Sequence, residues 1–202
     1  MANHIKKVRG LKILTKKHPA IQALMNEKHA PKIHGDKVWA SSYFIMDFLD
    51  DNPPADNSSI LEIGCGWGVL SLYCAKKYAA RVLATDADKN VFPFLKLHAQ
   101  ENDVKIKTKI SRYEKISDAV LAKQDIVVGG DICFWDEQVD ALYDTIKRGL
   151  ANGVKTIIIA DPGRPTFHDL AQRCKKDFRA FLITYGVSDP ANYDGYLLVI
   201  SN

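Results

Sequence analysis

At 202 residues, 47% hydrophobic and 26% charged, the chain can bury one sizeable core and has the composition of an ordinary globular protein. A net charge of +4 is too small to argue for a nucleic-acid partner. With no apolar run of about eighteen residues and no apolar core of a secretion signal, neither membrane nor export is indicated, and a cytoplasmic location is expected. Cys65, Cys74, Cys133 and Cys174 show no Cys-x-x-Cys spacing, so neither a metal site nor a disulfide framework is expected.

The chain opens with Lys6, Lys7, Arg9, Lys12, Lys16 and Lys17, all before the first acid, Glu27, and interleaved with Val8, Leu11, Ile13 and Leu14. One arginine and no serine before Glu27 are too few for a mitochondrial transit peptide. The segment reads as an arm for an acidic partner surface, the plainer alternative being a solvated lysine-rich extension. Ile21, Leu24 and Met25 then sit at helical spacing, and Val38, Ser42, Ile45 and Leu49 mark a second helix stopped by Asn52-Pro53-Pro54. These features suggest a basic arm with helices over 1–52, ahead of a domain over 53–202.

From there strands and helices alternate. The pattern predicts strand 59–63, helix 68–78, strand 81–85, helix 88–101, strand 104–110, a short helix within 114–122 and strand 124–130. A helix with Val139, Leu142, Tyr143, Ile146 and Leu150 on one face follows, then strand 154–160. Pro165 can open a helix striped by Phe167, Leu170, Ala171, Cys174 and Phe178, before last strands at 180–187 and 195–201. Such alternation implies an α/β fold: a Rossmann-like, doubly wound, mainly parallel seven-stranded sheet with helices on both faces and ligands at the strands' carboxyl ends.

The stretch Ile60-Leu-Glu-Ile-Gly-Cys-Gly-Trp-Gly68 runs a strand into glycines at 64, 66 and 68 and then into a helix. Glycine suits a sharp turn that a ligand must approach closely. A dinucleotide fingerprint would need its third glycine where Val69 stands, which disfavours that cofactor class. Downstream, Arg81-Val-Leu-Ala-Thr-Asp86 reads as a strand ending in a carboxylate able to accept ribose hydroxyls.

With Glu62 preceding it, the Glu-x-Gly-x-Gly-x-Gly pattern followed by Asp86 resembles the seven-strand S-adenosylmethionine-dependent methyltransferases. The resemblance implies S-adenosylmethionine as cofactor, with S-adenosylhomocysteine as product. Glu62, Gly64, Cys65, Gly66, Gly68 and Asp86 would hold it, and Ser111, Arg112 or Tyr113 would meet the adenine. Gly129 and Gly130 end the fourth strand, where they leave room for a ligand or simply allow a bend.

Asp131-Ile-Cys-Phe134 follows directly, and the similarity narrows to the subgroup that methylates protein lysines, marked by Asp-x-x-Tyr/Phe after the fourth strand. Within it, Gly130–Glu137 and Asp161–Phe167 resemble the electron-transfer flavoprotein β-subunit lysine methyltransferases over roughly 38–170. Asp131 would orient the ε-amine and Phe134 wall the pocket; a helix cap and a core ring are the plainer readings. Trp39 would lie against the cofactor, or else be a buried helix aromatic. Asp161-Pro-Gly-Arg-Pro165 makes a stiff loop that presents Arg164 outward, to grip an acidic surface, brace the pocket or merely turn the chain. A protein substrate is thus expected. Methylation of a small amine or heterocycle, and a cofactor-sensing partner module without turnover, are the alternatives.

Overall fold

A computed structural model describes residues 4–26, 30–33, 35 and 37–202; Glu27 lies outside them. The chain begins with β1 (Ile5–Val8) and β2 (Leu11–Leu14), then α1 (Pro19–Asn26) and α2 (Ser41–Asp51). The alternating part comprises β3 (Ser59–Ile63), α3 (Val69–Tyr78), β4 (Arg81–Asp86), α4 (Phe92–Glu101), β5 (Lys107–Ile110), α5 (Asp118–Leu121) and β6 (Ile126–Gly130). It continues with α6 (Asp136–Ala151), β7 (Thr156–Asp161), α7 (Pro165–Asp177), β8 (Arg179–Val187) and β9 (Tyr193–Ser201).

A seven-stranded sheet in the order β5-β4-β3-β6-β7-β9-β8 forms the middle layer. The first five strands in that row pair in parallel, while β9 runs antiparallel to both β7 and β8. The central strands are largely apolar, as burial on both faces requires, with Glu62 the polar exception in β3: Ile60, Leu61 and Ile63 in β3, and Ile157, Ile158 and Ile159 in β7, are almost wholly hidden. One face carries α2, α3 and α4 together with the β1–β2 hairpin; α6 and α7 cover the other. On α6, Val139, Leu142, Ile146 and Leu150 are buried at the expected helical spacing.

Where element bounds differ from expectation, local causes are visible. Strand β5 is an edge whose only partner among the described residues is β4, and pairing starts at Leu83 opposite Lys107 rather than at Val104. Val154 is spent on closing α6, its N–H donating to Gly149 O at 3.0 Å, so β7 begins two residues later. Helix α2 starts at Ser41, leaving Val38 and Trp39 in the segment that leads into it.

The largest correction concerns the basic N-terminal segment, which is neither a free arm nor a solvated extension. It is an antiparallel hairpin pairing Ile5 with Leu14 and Val8 with Leu11. The turn sits on Arg9 and Gly10, both at positive φ (46° and 78°), the geometry of a tight two-residue hairpin. Val8, Leu11, Ile13 and Leu14 join the same apolar cluster as Phe44, Ile60, Leu70 and Phe94, while Lys6, Lys7 and Lys12 face solvent. Polar contacts fix the register. Asn102 accepts the Lys12 N–H at 2.8 Å and returns a 2.8 Å bond to Lys12 O; His98 Nε2 accepts the Leu14 N–H at 3.1 Å. Because Nε2 accepts, the His98 proton sits on Nδ1, 2.8 Å from Phe94 O, and the ring is neutral.

Truncating Leu14 to alanine is therefore expected to cost about 3 kcal/mol in denaturant unfolding, whereas Lys7→Ala stays within about 0.5 kcal/mol. Burial holds the His98 pKa below its ordinary value. A base with a depressed folded pKa contributes stability at neutral pH that is lost once the unfolded ring takes up protons, below about pH 6.5. Thermal midpoints recorded from about pH 7.5 to 5.5 should fall more steeply for wild type than for His98→Gln.

Candidate active site

At the carboxyl ends of β3, β4, β5 and β6 lies a cleft of about 360 Å³, the scale of a small-molecule site. Its walls come from five places in the sequence. Gly64 and Gly66 follow β3, Asp86 and Ala87 end β4, and Ser111, Arg112, Tyr113 and Glu114 follow β5. Gly130, Asp131, Ile132, Phe134 and Trp135 follow β6, with Glu137 and Gln138 from the first turn of α6. Ile33, Gly35 and Trp39 close the side ahead of α2.

The glycine turn depends on left-handed backbone at each of its glycines, with φ of 67°, 51° and 71° at Gly64, Gly66 and Gly68. Only Gly66 would direct a Cβ into open space; one on Gly64 would strike Ile132 and one on Gly68 would strike Leu95. Gly66 is thus the point where a ligand can approach the bare backbone. Its N–H donates to Asp86 Oδ2 at 3.0 Å, and Asp86 Oδ1 accepts the Asp88 N–H at 2.8 Å. The carboxylate also meets the Ala87 N–H and still has acceptor capacity for a ligand hydroxyl. Burial raises the Asp86 pKa, opposed by these backbone N–H groups.

Three of the sequence-predicted cofactor residues stand elsewhere. Glu62 is buried behind the turn, its carboxylate accepting the Ser71 N–H at 3.0 Å and a short hydrogen bond from the Ser71 hydroxyl, so it braces the start of α3. Cys65 packs with Ala84, Val91, Phe92 and Leu95. Gly68 caps α3 from below the cleft. Trp67, bulky within a glycine stretch, points into the core and stacks on Phe94 with centroids 5.2 Å apart. Trp39, Gly64, Gly66, Asp86, Ser111, Gly130, Asp131 and Phe134 do line one space.

Around Asp131 the site is aromatic and charged. Trp39 meets Phe134 edge to face at 5.7 Å, and Trp135, 45% exposed, leans on Phe134 at the same distance. Asp131 is no helix cap: α6 starts five residues on, and Asp131 holds φ at 56°, a left-handed conformation rare for a side-chain-bearing residue. Its Oδ1 lies 2.9 Å from Arg164 Nη1, and Oδ2 accepts the Ser41 N–H at 3.4 Å. Arg164 does not project outward as expected. It folds in, with Nη1 also 2.6 Å from Asp161 Oδ2 and its guanidinium carbon 4.0 Å from the Phe134 ring centre.

Sequence reasoning also missed Gln138, whose Oε1 accepts the Phe134 N–H at 2.6 Å and the Trp135 N–H at 3.2 Å, pinning the aromatic loop to α6. A glutamine at the third position of a helix was the available signal. Tyr113 and Glu114 complete the β5 side, and burial raises the Tyr113 phenol above its ordinary range.

The methyltransferase-domain family matches residues 60–153, from β3 through the end of α6. The match takes in four of the seven strands of the sheet, β3 to β6, with the glycine turn, Asp86 and Asp131. The chain is 26% identical over 175 residues to the electron transfer flavoprotein beta subunit lysine methyltransferase of Xenopus laevis, covering 83% of this chain and 68% of that one. It is 28% identical over 162 residues to the protein N-terminal and lysine N-methyltransferase EFM7 of Candida albicans, covering 68% and 60%. The chain spans about half to two thirds of the length of the curated relatives it matches. In three dimensions it superposes on an rRNA methylase from Streptococcus thermophilus with a TM-score of 0.61 over 82% of this chain and 98% of the other, at 14% identity. That likeness shows the fold, a Rossmann-like α/β arrangement around a mainly parallel seven-stranded sheet. Among the described residues no helix is long and apolar enough to cross a membrane.

The brace behind the glycine turn makes a measurable prediction. Burial pushes the Glu62 carboxyl up to about 8, against the bonds from Ser71. Between its unfolded value near 4.5 and about 8 the folded protein holds a proton that the unfolded chain lacks, so stability falls as pH rises through that window. Glu62→Gln should raise the thermal midpoint relative to wild type more above about pH 8 than at about pH 5.

Proposed function

We propose that this chain is an S-adenosylmethionine-dependent methyltransferase acting on lysine side chains of a protein substrate in the cytoplasm. The observation carrying this reading is that Asp131 and Phe134 share one cleft with Gly66 and Asp86, an acceptor end meeting a nucleoside end. Relatives named for lysine methylation and the four unpaired cysteines, usual in a reducing compartment, support substrate and setting.

The cleft fits the cofactor. Gly66 would admit it against bare backbone, Asp86 would accept ribose hydroxyls, Ser111 lies where adenine would be met, and Trp39 and Gly130 would flank the reactive end. When bound, S-adenosylmethionine supplies a methyl group made electrophilic by its sulfonium. The protein's task is to deliver an uncharged amine in line with that methyl and to exclude water. Trp39 and Phe134 provide an apolar, π-rich wall for the lysine stem, and desolvation there disfavours the ammonium form. Asp131 Oδ2, whose only protein partner at hydrogen-bonding distance among the described residues is the long contact from Ser41, accepts an amine N–H and aims the nitrogen lone pair away from itself.

Calorimetric titration with S-adenosylhomocysteine should show Asp86→Asn weakened about tenfold, the loss of one hydrogen bond to a charged group, and Gly66→Val not binding. Tritiated-methyl transfer to a lysate of the source organism, resolved on a gel, should label a protein band. Asp131→Ala should reduce that label by roughly 100-fold or more while keeping cofactor affinity. Label confined to small molecules, or full activity in Asp131→Ala, would sink the assignment.

A further inference from the structure

Arg164 lies between the two strand ends nearest the acceptor end of the cleft. One nitrogen, Nη1, bridges Asp131 from the end of β6 and Asp161 from the end of β7, at 2.9 and 2.6 Å. Asp161 is a rigid post: it is fully buried, and its Oδ1 accepts the N–H groups of Gly163 and Arg164 at 2.9 and 2.8 Å. The loop above it has little freedom. Gly163 sits at φ 108°, a Cβ there would come within 2.7 Å of the Tyr196 ring, and Pro165 starts α7. From this anchor the guanidinium spans to Asp131 while lying 4.0 Å from the centre of the Phe134 ring.

Asp131 is held from outside by this contact. Its backbone is left-handed at φ 56°, a conformation Asp tolerates better than most residues, and the Arg164 contact then fixes where its carboxylate points. Arg164 takes Oδ1, so the oxygen left for an incoming group is Oδ2. The same side chain backs Phe134, so one planar cation orients both acceptor-end residues. A lysine ammonium could meet both carboxylates from its one nitrogen, but it has no planar group to set over the Phe134 ring while doing so.

We infer, on the methyltransferase reading given above, that Arg164 is the positioning residue of this site: anchored on Asp161, it aims Asp131 Oδ2 and the Phe134 ring at the methyl acceptor and touches neither cofactor nor acceptor itself. It acts through Asp131, so its removal and the neutralisation of Asp131 disable one and the same unit.

The test compares wild type, Arg164→Lys, Asp131→Asn and the double variant by thermal melting, S-adenosylhomocysteine titration and tritiated-methyl transfer to lysate protein. Arg164→Lys should melt cooperatively, bind S-adenosylhomocysteine as wild type does, and lose roughly 100-fold in transfer, the scale of a misplaced reacting group. The double variant should lose no more than the worse single one, because residues acting as a unit are non-additive. Wild-type transfer by Arg164→Lys, single losses that multiply in the double variant, or weakened cofactor binding in Arg164→Lys would each overturn the positioning role and leave methyl transfer standing. No transfer by wild type would overturn both.

Discussion

The hydrogen bond from Gly66 N–H to the Asp86 carboxylate is the contact on which the cleft depends. It joins the turn after one parallel strand to the end of its neighbour, so the glycine backbone and the acid that faces it cannot drift apart. Burial alone would favour a neutral Asp86; backbone N–H groups from both sides oppose that shift. Behind it, Glu62 grips the first turn of α3, and Thr85 Oγ1 donates to Glu62 O at 2.9 Å. The turn is thus held by polar groups sealed from water, where each bond strengthens because solvent cannot compete for it.

A second polar unit, made by buried Asp161 and Asp131 with half-buried Arg164, does for the proposed acceptor end what Asp86 does for the proposed nucleoside end. The two ends differ in kind. The first is backbone and carboxylate, suited to hydroxyls; the second is aromatic and charged, suited to an amine on an alkyl stem. Both are mounted on strand ends, which parallel pairing holds rigid, rather than on free loops.

Much of this was legible in the sequence because parallel strands buried on both faces must be largely apolar runs, and because alternate glycines after such a run have few other uses. Asp131 and Phe134 could be found for a similar reason, lying directly after the fourth core strand. The hairpin could not. Its turn is Arg9-Gly10 rather than a residue pair common at positive φ, and its lysines read as a solvated charge run although Leu11 and Leu14 between them are buried. Nor could the direction of Glu62 or Arg164, since each side chain follows a partner, Ser71 or Asp131, whose position only the tertiary fold decides. Spacing tells which face a strand residue takes, and not which neighbour claims a long side chain.

The docking of the hairpin also sets an order of events. Lys12 and Leu14 are tied to Asn102 and His98, residues that follow them by 90 and 84 positions. During synthesis these two short strands leave the ribosome well before the helix they cover, and a two-stranded ribbon alone is barely stable in water. They must wait until β3, β4 and α4 have assembled, then settle on the exposed flank of α3 and α4. A segment made early becomes the clasp that closes over a finished half-sheet, with its lysines left on the solvent side.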